Sequence, residues 1–271
     1  MRYLYGLPAA ESKSPGKWGN RLAVVCGCIA PVLFPPIHIG ILYYFWDDFS
    51  RRVNKHFCSC SCWDTVFKGT YETGVPSYKH LYFNATSNTF KIWILTVVSV
   101  IALYECIRHL TVLMLQRQLR FSMLVLFLSS VFAHYYSWWT YVNYWNDDYY
   151  SQWNHQLFFT VSELCSTILV IHLARSDNPV TVRKVLGIIG IALIHVLAGG
   201  WDQFIANVLR GEGYSHQVLR DLGFMIPDLL HLCFPLYELR HSRKERCRPH
   251  FTEFFGLVIL VSSGFLVSSV L

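Results

Sequence analysis

The chain has 271 residues, of which 53% are hydrophobic and only 15% are charged. A soluble domain carries about 25% charged residues, so this composition excludes an ordinary soluble domain. The formal net charge of +6 does not indicate nucleic-acid binding, because the basic residues stand at the ends of apolar runs, where they meet lipid headgroups.

Seven apolar runs follow one another along the chain, each near the roughly 20 residues that a helix needs to cross a bilayer. Solid apolar runs favour helices over barrel strands, in which polar and apolar residues alternate. We therefore predict an all-α fold, a polytopic integral membrane protein with a seven-helix transmembrane bundle, in a single membrane domain over residues 1–271. The predicted spans cover about residues 22–46, 92–115, 121–142, 156–174, 185–209, 222–239 and 251–271.

The first run is followed by a predicted outer loop, residues 47–91, which contains two further signals. At about 25 residues the run is too long for the core of a signal peptide, so we expect a retained anchor. Asn84 heads an Asn-Ala-Thr triplet, an acceptor for N-glycosylation if it faces the lumen. If the loop is outside, the cysteine cluster (Cys58, Cys60 and Cys62) is expected to be oxidised with a partner or to hold a metal, and if inside, to be palmitoylated.

The distribution of Lys and Arg predicts the orientation. The amino terminus and the second, fourth and sixth links are basic, and with seven spans all four lie on one side of the membrane. The positive-inside rule makes that side cytoplasmic, so the carboxyl terminus is predicted to be lumenal or extracellular. The first loop, which is also basic, is the exception. We expect an integral protein of the secretory pathway or plasma membrane.

Several ionisable residues lie inside the predicted spans, where charge is costly and usually functional. Asp228 and His231 are three residues apart and His195 and Asp202 seven apart, so each pair shares a helix face. A short link makes the fifth and sixth spans antiparallel neighbours, which predicts that these four converge in the outer half of the bilayer. The candidates for a ligand or ion pathway are His134, Glu163, His195, Asp202, Asp228 and His231.

Several chemistries fit such a cluster. The groups could simply join helices by hydrogen bonds, form a proton or ion relay, or bind a small ligand as a receptor does. They could also hold a metal that activates water, with His195, Asp228 and His231 as candidate ligands. On the second span, Glu105 and Arg108 have the spacing of an intrahelical ion pair.

The leading interpretation is a non-enzymatic, transporter- or receptor-like membrane protein that handles a proton, an ion or a small ligand. The alternatives are a membrane-embedded metal-dependent hydrolase and a structural or assembly protein without chemistry. The predicted topology is similar to that of the adiponectin-receptor and alkaline-ceramidase hydrolases, but residues 251–271 lack the two histidines of their last span, so no residue role is carried over. The catalytic residues and cofactors are unknown from sequence. The expected partners are the lipid bilayer and either a membrane protein or a second copy of the chain, with no nucleic acid.

Overall fold

The computed structural model describes residues 16–50, 67–68, 77–78, 87–147, 150, 152–242 and 251–271. These residues form seven α-helices, one π-helical segment and a two-residue antiparallel pair, Phe67–Lys68 with Ser77–Tyr78. The all-helical fold class is therefore confirmed. The helices are α1 (Lys17–Ser50), α2 (Ser87–Leu115), α3 (Phe121–Asp147), α4 (Trp153–Ala174), α5 (Val182–Gly199), the π-helical segment (Gly200–Leu209), α6 (Ser215–Ser242) and α7 (Phe251–Val270).

Six helices, α2 to α7, are long and apolar enough to cross a membrane, so the chain is a multi-pass membrane protein. The predicted count of seven spans is not confirmed. The helices extend beyond most of the predicted spans, and the fifth span differs in kind. Its predicted range, 185–209, is an α-helix only as far as Gly199 and continues as a π-helix from Gly200.

The helices α3, α4, α5 and α6 form the centre of the bundle. In it α3 packs against α4 and α6, while α5 packs against α4 and α6. At the periphery, α1 lies against α2 and α7 lies against α5. Large apolar side chains of the outer helices remain exposed, as expected for surfaces that face lipid.

One end of the bundle is closed by a dry apolar core. It is built from the ends of α2 and α4 and the beginnings of α3 and α5, and its buried members are Leu110, Leu113, Met123, Leu126, Phe127, Val170, Leu173, Ala174 and Ile188. The links 116–120 and 175–181 lie at this end and pair at Leu119 and Arg175. We call it the basic end, because these two links carry Arg117, Arg120 and Arg175.

Arg120 joins the link before α3 to the end of α4 at the basic end. Its guanidinium donates hydrogen bonds to four backbone carbonyls at the end of α4, those of Leu173 (2.5 Å), Arg175 (3.0 Å), Ser176 (2.7 Å) and Asn178 (2.7 Å). The last carbonyls of a helix lack partners within it and carry partial negative charge, so a cation is well placed there. Glu238 of α6, which also accepts a hydrogen bond from Ser122, lies 3.9 Å from Arg120 Nε. Burial lowers the pKa of Arg120, and the carboxylates of Glu238 and Asp177 oppose that change.

Two of the sequence predictions lie outside the described residues. Asn84 and the cysteine cluster lie in the loop between α1 and α2, and their predicted roles stay predictions. The predicted ion pair on α2 is present: Arg108 Nη2 lies 2.6 Å from Glu105 Oε2, with both side chains substantially exposed.

Candidate functional site

Three ionisable side chains from three helices meet inside the bundle. His195 of α5 places Nδ1 3.6 Å from Glu163 Oε2 of α4 and 3.4 Å from Asp228 Oδ1 of α6. One ligand atom from each residue lies within 4.8 Å of the other two. The side chains are 10% to 14% exposed, so two carboxylates and an imidazole share a space with little water. Two carboxylates are costly to bury without a compensating charge, so a positive charge is expected between them.

Ser162 determines which nitrogen of His195 faces the carboxylates. The serine hydroxyl lies 2.8 Å from His195 Nε2 and 3.0 Å from the carbonyl oxygen of Phe159. A hydroxyl has one proton and two lone pairs, so when it donates to Phe159 it accepts from Nε2–H. The Nδ1 lone pair then points at two carboxylates, an arrangement that a bound cation would satisfy.

Two more histidines lie beside these three residues, and each is also tied to a hydroxyl of a neighbouring helix. His134 Nε2 lies 2.8 Å from Thr167 Oγ1, and His231 Nε2 lies 3.4 Å from Ser130 Oγ. His231 Nδ1 donates to the carbonyl of Pro227 at 2.8 Å. Both nitrogens of His231 are therefore occupied, and in the group that could hold a metal its predicted place is taken by Glu163.

Polar side chains line the facing surfaces of α3 and α4. They recur at helical spacing, so each set forms one stripe. We call the two stripes the polar seam: Ser130, His134, Ser137 and Tyr141 on α3, and Gln156, Thr160, Glu163 and Thr167 on α4. Thr160 donates to Ser137 at 3.3 Å, Gln156 donates to Ser137 at 3.3 Å, and Tyr141 donates to Thr160 at 3.4 Å. These hydrogen bonds join the part of the seam near the end of the bundle, and Glu163 follows Thr160 three residues further along the stripe on α4.

The two ends of the seam differ: one reaches a cluster of Trp and Tyr residues and the other reaches the apolar core. Towards the link between α3 and α4, Tyr141 packs against Trp153 with ring centroids 4.8 Å apart. Trp153 lines an open cleft of about 540 Å³ together with Lys91, Trp145, Tyr150 and Asn154. We call this the aromatic end; its Trp and Tyr residues are typical of the membrane interface. In the other direction the stripe on α4 continues as Val170 and Ala174, which belong to the apolar core.

The two carboxylates of the site lie near the middle of their helices. Glu163 is 10 residues from the start of α4 and 11 from its end, and Asp228 is 13 residues from the start of α6 and 14 from its end. At about 1.5 Å per residue, each carboxylate is roughly 15–20 Å from either helix end. This is the depth at which an ionisable group is most costly in a bilayer.

The structure brings five of the six predicted residues into one region. Glu163, His195 and Asp228 meet directly, and His134 interacts electrostatically with Glu163 and His231. The sixth, Asp202, lies in the π-helical segment, and its side chain is outside the described part of the chain. Sequence reasoning missed the hydroxyl partners Ser130, Ser162 and Thr167; their spacing from the ionisable residues was the available signal.

Comparison with known proteins gives a family but no activity. No curated protein matches the chain, and no solved structure matches it. A family model described as a family of unknown function matches residues 20–271, which is nearly the whole chain. The chain therefore belongs to this family of unknown function, DUF8801.

Proposed function

We propose that the protein is a transporter-like membrane protein that binds a cation at Glu163, His195 and Asp228. The single observation that carries the proposal is the meeting of two carboxylates with the imidazole of His195 at the middle of the bundle. Two buried carboxylates attract positive charge and repel anions, which favours a cation over an anionic ligand. Carboxylates and histidines within membrane spans mark ion pathways in pumps and transporters.

The polar seam supports an entry route from the aromatic end. Ser137, Thr160 and Gln156 offer hydroxyl and amide oxygens between Tyr141 and Glu163, and such oxygens can replace the water around an ion. The apolar core on the other side of Glu163 would stop the ion from passing straight through. A site that is reached from one side and closed on the other is what alternating access requires in one of its two states.

The π-helical segment supplies a place for movement. It begins at Gly200, five residues after His195, and π-helical turns occur most often at functional sites. A shift between π- and α-helical hydrogen bonding there would rotate α5 and carry His195 with it. Pro227, one residue before Asp228, removes a backbone donor from α6 and gives the facing helix similar freedom.

We also propose that α1 is a seventh span, which places the amino terminus in the cytoplasm. α1 has 34 residues, about 51 Å of helix, and exposes apolar side chains such as Val25, Val32 and Ile37. With seven spans, the basic end lies on the cytoplasmic side by the positive-inside rule, and the aromatic end faces the lumen or the exterior. Glycosylation of Asn84 fits this orientation.

Cation flux in proteoliposomes tests the proposed function. Full-length protein is reconstituted, and entry of H⁺, Na⁺, Ca²⁺ and Zn²⁺ is followed with trapped fluorescent indicators. We expect flux of at least one cation, lowered about tenfold or more in Glu163→Gln and Asp228→Asn, because each variant removes one of the two negative charges. Glu105→Gln is the matched control, since Glu105 lies on α2, outside the site, and pairs with Arg108 of the same helix.

Two results would contradict the proposal. One is the absence of flux for every cation in folded, reconstituted protein. The other is flux that is equal in wild type, Glu163→Gln and Asp228→Asn. If the site variants lower only the melting temperature, the three residues join helices by hydrogen bonds and carry no ion.

A further inference from the structure

The geometry points to a divalent first-row transition metal, with Zn²⁺ as the representative ion, bound by Glu163, His195 and Asp228 in a three-ligand site with an open fourth position. The inference rests on the proposed function, because it names the class of cation that the same site binds. It follows from the spacing of the ligand atoms, from their charge and from the way in which Ser162 orients the imidazole.

The spacing matches four-coordinate zinc. Bonds of about 2.0–2.2 Å at tetrahedral angles set neighbouring ligand atoms roughly 3.4 Å apart. The distances from His195 Nδ1 are 3.4 Å to Asp228 Oδ1 and 3.6 Å to Glu163 Oε2. The two carboxylate oxygens lie within 4.8 Å of each other, so side-chain movement would bring all three ligand atoms to the spacing of a metal site. Three protein ligands leave one position for water or an exchanging ligand, as in catalytic zinc sites and unlike structural ones.

The charge of the site matches a divalent ion. Two carboxylates and a neutral imidazole carry two negative charges, and a divalent metal makes the group neutral. A neutral group is far less costly to hold at the centre of a bilayer than an uncompensated charge. One monovalent cation would leave a net negative charge among side chains that are only 10% to 14% exposed.

The ligand types select among divalent ions. Imidazole suits Zn, Cu, Fe and Ni, whereas Mg²⁺ and Ca²⁺ prefer six or more oxygen ligands. Ser162 supplies the support that metal-binding histidines usually have: when its hydroxyl donates to Phe159, it accepts from Nε2–H at 2.8 Å and leaves the Nδ1 lone pair for the metal. Among the described residues no cysteine belongs to this group, so it is not a thiolate site.

Zinc binding to purified protein tests the inference. Full-length protein in detergent is titrated with Zn²⁺ in competition with a chromophoric chelator. The background carries Cys58→Ser, Cys60→Ser and Cys62→Ser, which removes a rival set of sulfur ligands. We expect one Zn²⁺ per chain, and affinity that falls about 100-fold in Glu163→Gln, Asp228→Asn and His195→Asn.

Matched controls separate ligation from folding. Glu105→Gln and His172→Asn make the same chemical changes elsewhere in the spans and are expected to keep wild-type affinity. Each variant is first checked for a single monodisperse species. The charge-conserving Glu163→Asp keeps the net charge and moves the oxygen by one methylene, so we expect weakened binding in a protein that still folds.

Cobalt gives a readout that needs no variant. Co²⁺ replaces Zn²⁺ in most sites, and four-coordinate Co²⁺ absorbs visible light much more strongly than six-coordinate Co²⁺. We expect strong visible bands that disappear when Zn²⁺ is added in excess. Weak bands typical of six-coordination, absence of Zn²⁺ binding, or binding that is equal in the site variants and the controls would overturn the inference.

The binding and flux experiments fail independently. If H⁺ or Na⁺ flux depends on Glu163 but no Zn²⁺ binds, the metal assignment is wrong and the proposed function stands. If Zn²⁺ binds at the three residues but no cation moves, transport is wrong and the metal site stands. A three-ligand zinc with bound water would then lead to tests of lipid hydrolysis.

Discussion

Asp228 of α6 and His195 of α5 are held with Oδ1 and Nδ1 3.4 Å apart, Asp228 at the middle of its helix and His195 four residues before α5 passes into the π-helical segment. Ionisable residues at this depth in a membrane span usually serve a function. Glu163 of α4 places a second carboxylate beside the same imidazole nitrogen. This group of two carboxylates and one imidazole is the basis of the proposed cation site.

Removing the hydroxyl that orients His195 should weaken cation binding without unfolding the protein. We expect Ser162→Ala to lower Zn²⁺ affinity about tenfold or more, the usual effect of losing a residue that supports a metal ligand. The measurement is the competition titration with Zn²⁺. Ser263→Ala is the control, because Ser263 bonds a carbonyl of its own helix on the exposed side of α7. Equal affinity in both variants would refute the assigned role of Ser162.

The hydrogen bonds of Arg120 at the basic end should depend on the shape of the arginine side chain as well as on its charge. We expect Arg120→Ala to lower the free energy of unfolding by about 3 kcal/mol or more, because the end of α4 and Glu238 lose their partner. Arg120→Lys should recover only part of this, since an ammonium cannot reach four carbonyls at once. The measurement is thermal unfolding in detergent. Arg183→Lys, at a residue that is 88% exposed, should leave the melting temperature unchanged.

A glycine on α6 allows close packing against α3. A methyl group at Gly223 would lie 2.6 Å from Phe132 Cδ1, and that ring is held against Phe224 and Tyr136. We expect Gly223→Ala to destabilise the protein by about 1–3 kcal/mol through overpacking. Gly256→Ala is the matched control, because a methyl group there meets open space. A melting temperature of Gly223→Ala as high as that of the control would show that α3 and α6 can separate freely.

The proposed orientation predicts the accessibility of the two ends of the chain. In intact cells, we expect an epitope tag at the amino terminus to require permeabilisation for labelling, and a tag after Leu271 to be labelled without it. If Asn84 is used, treatment with an N-glycosidase will increase the electrophoretic mobility of the wild type and leave Asn84→Gln unchanged. Labelling of the amino-terminal tag in unpermeabilised cells would reverse the assignment.

The sequence was sufficient for the helices because their signal is strong and local. Runs of about 20 apolar residues have few alternatives in a bilayer, so the order of α2 to α7 followed from hydropathy. The break of the fifth span at Gly200 was harder to predict, since two adjacent glycines permit irregular backbone without specifying a π-helix. The form of the break does not follow from residue type.

The site was predictable only in part, because its partners come from different helices. The rule that ionisable residues in spans are functional identified Glu163, His195 and Asp228 one by one. Spacing within helices then paired Asp228 with His231, whereas in the structure His231 bonds Ser130 and Pro227. Which helices pack together, and at what rotation, depends on contacts such as Gly223 with Phe132, and such contacts leave no periodic signal.

X-ray absorption at the zinc edge, on purified full-length protein loaded with one equivalent of Zn²⁺, tests the central claim most directly. We predict a first shell of nitrogen and oxygen at about 2.0–2.1 Å, with the outer-shell scattering of a single imidazole and no sulfur. This shell should be lost in Glu163→Gln, Asp228→Asn double variants. A sulfur shell at about 2.3 Å would assign the metal to cysteines instead, and an all-water shell would contradict a metal site in the bundle.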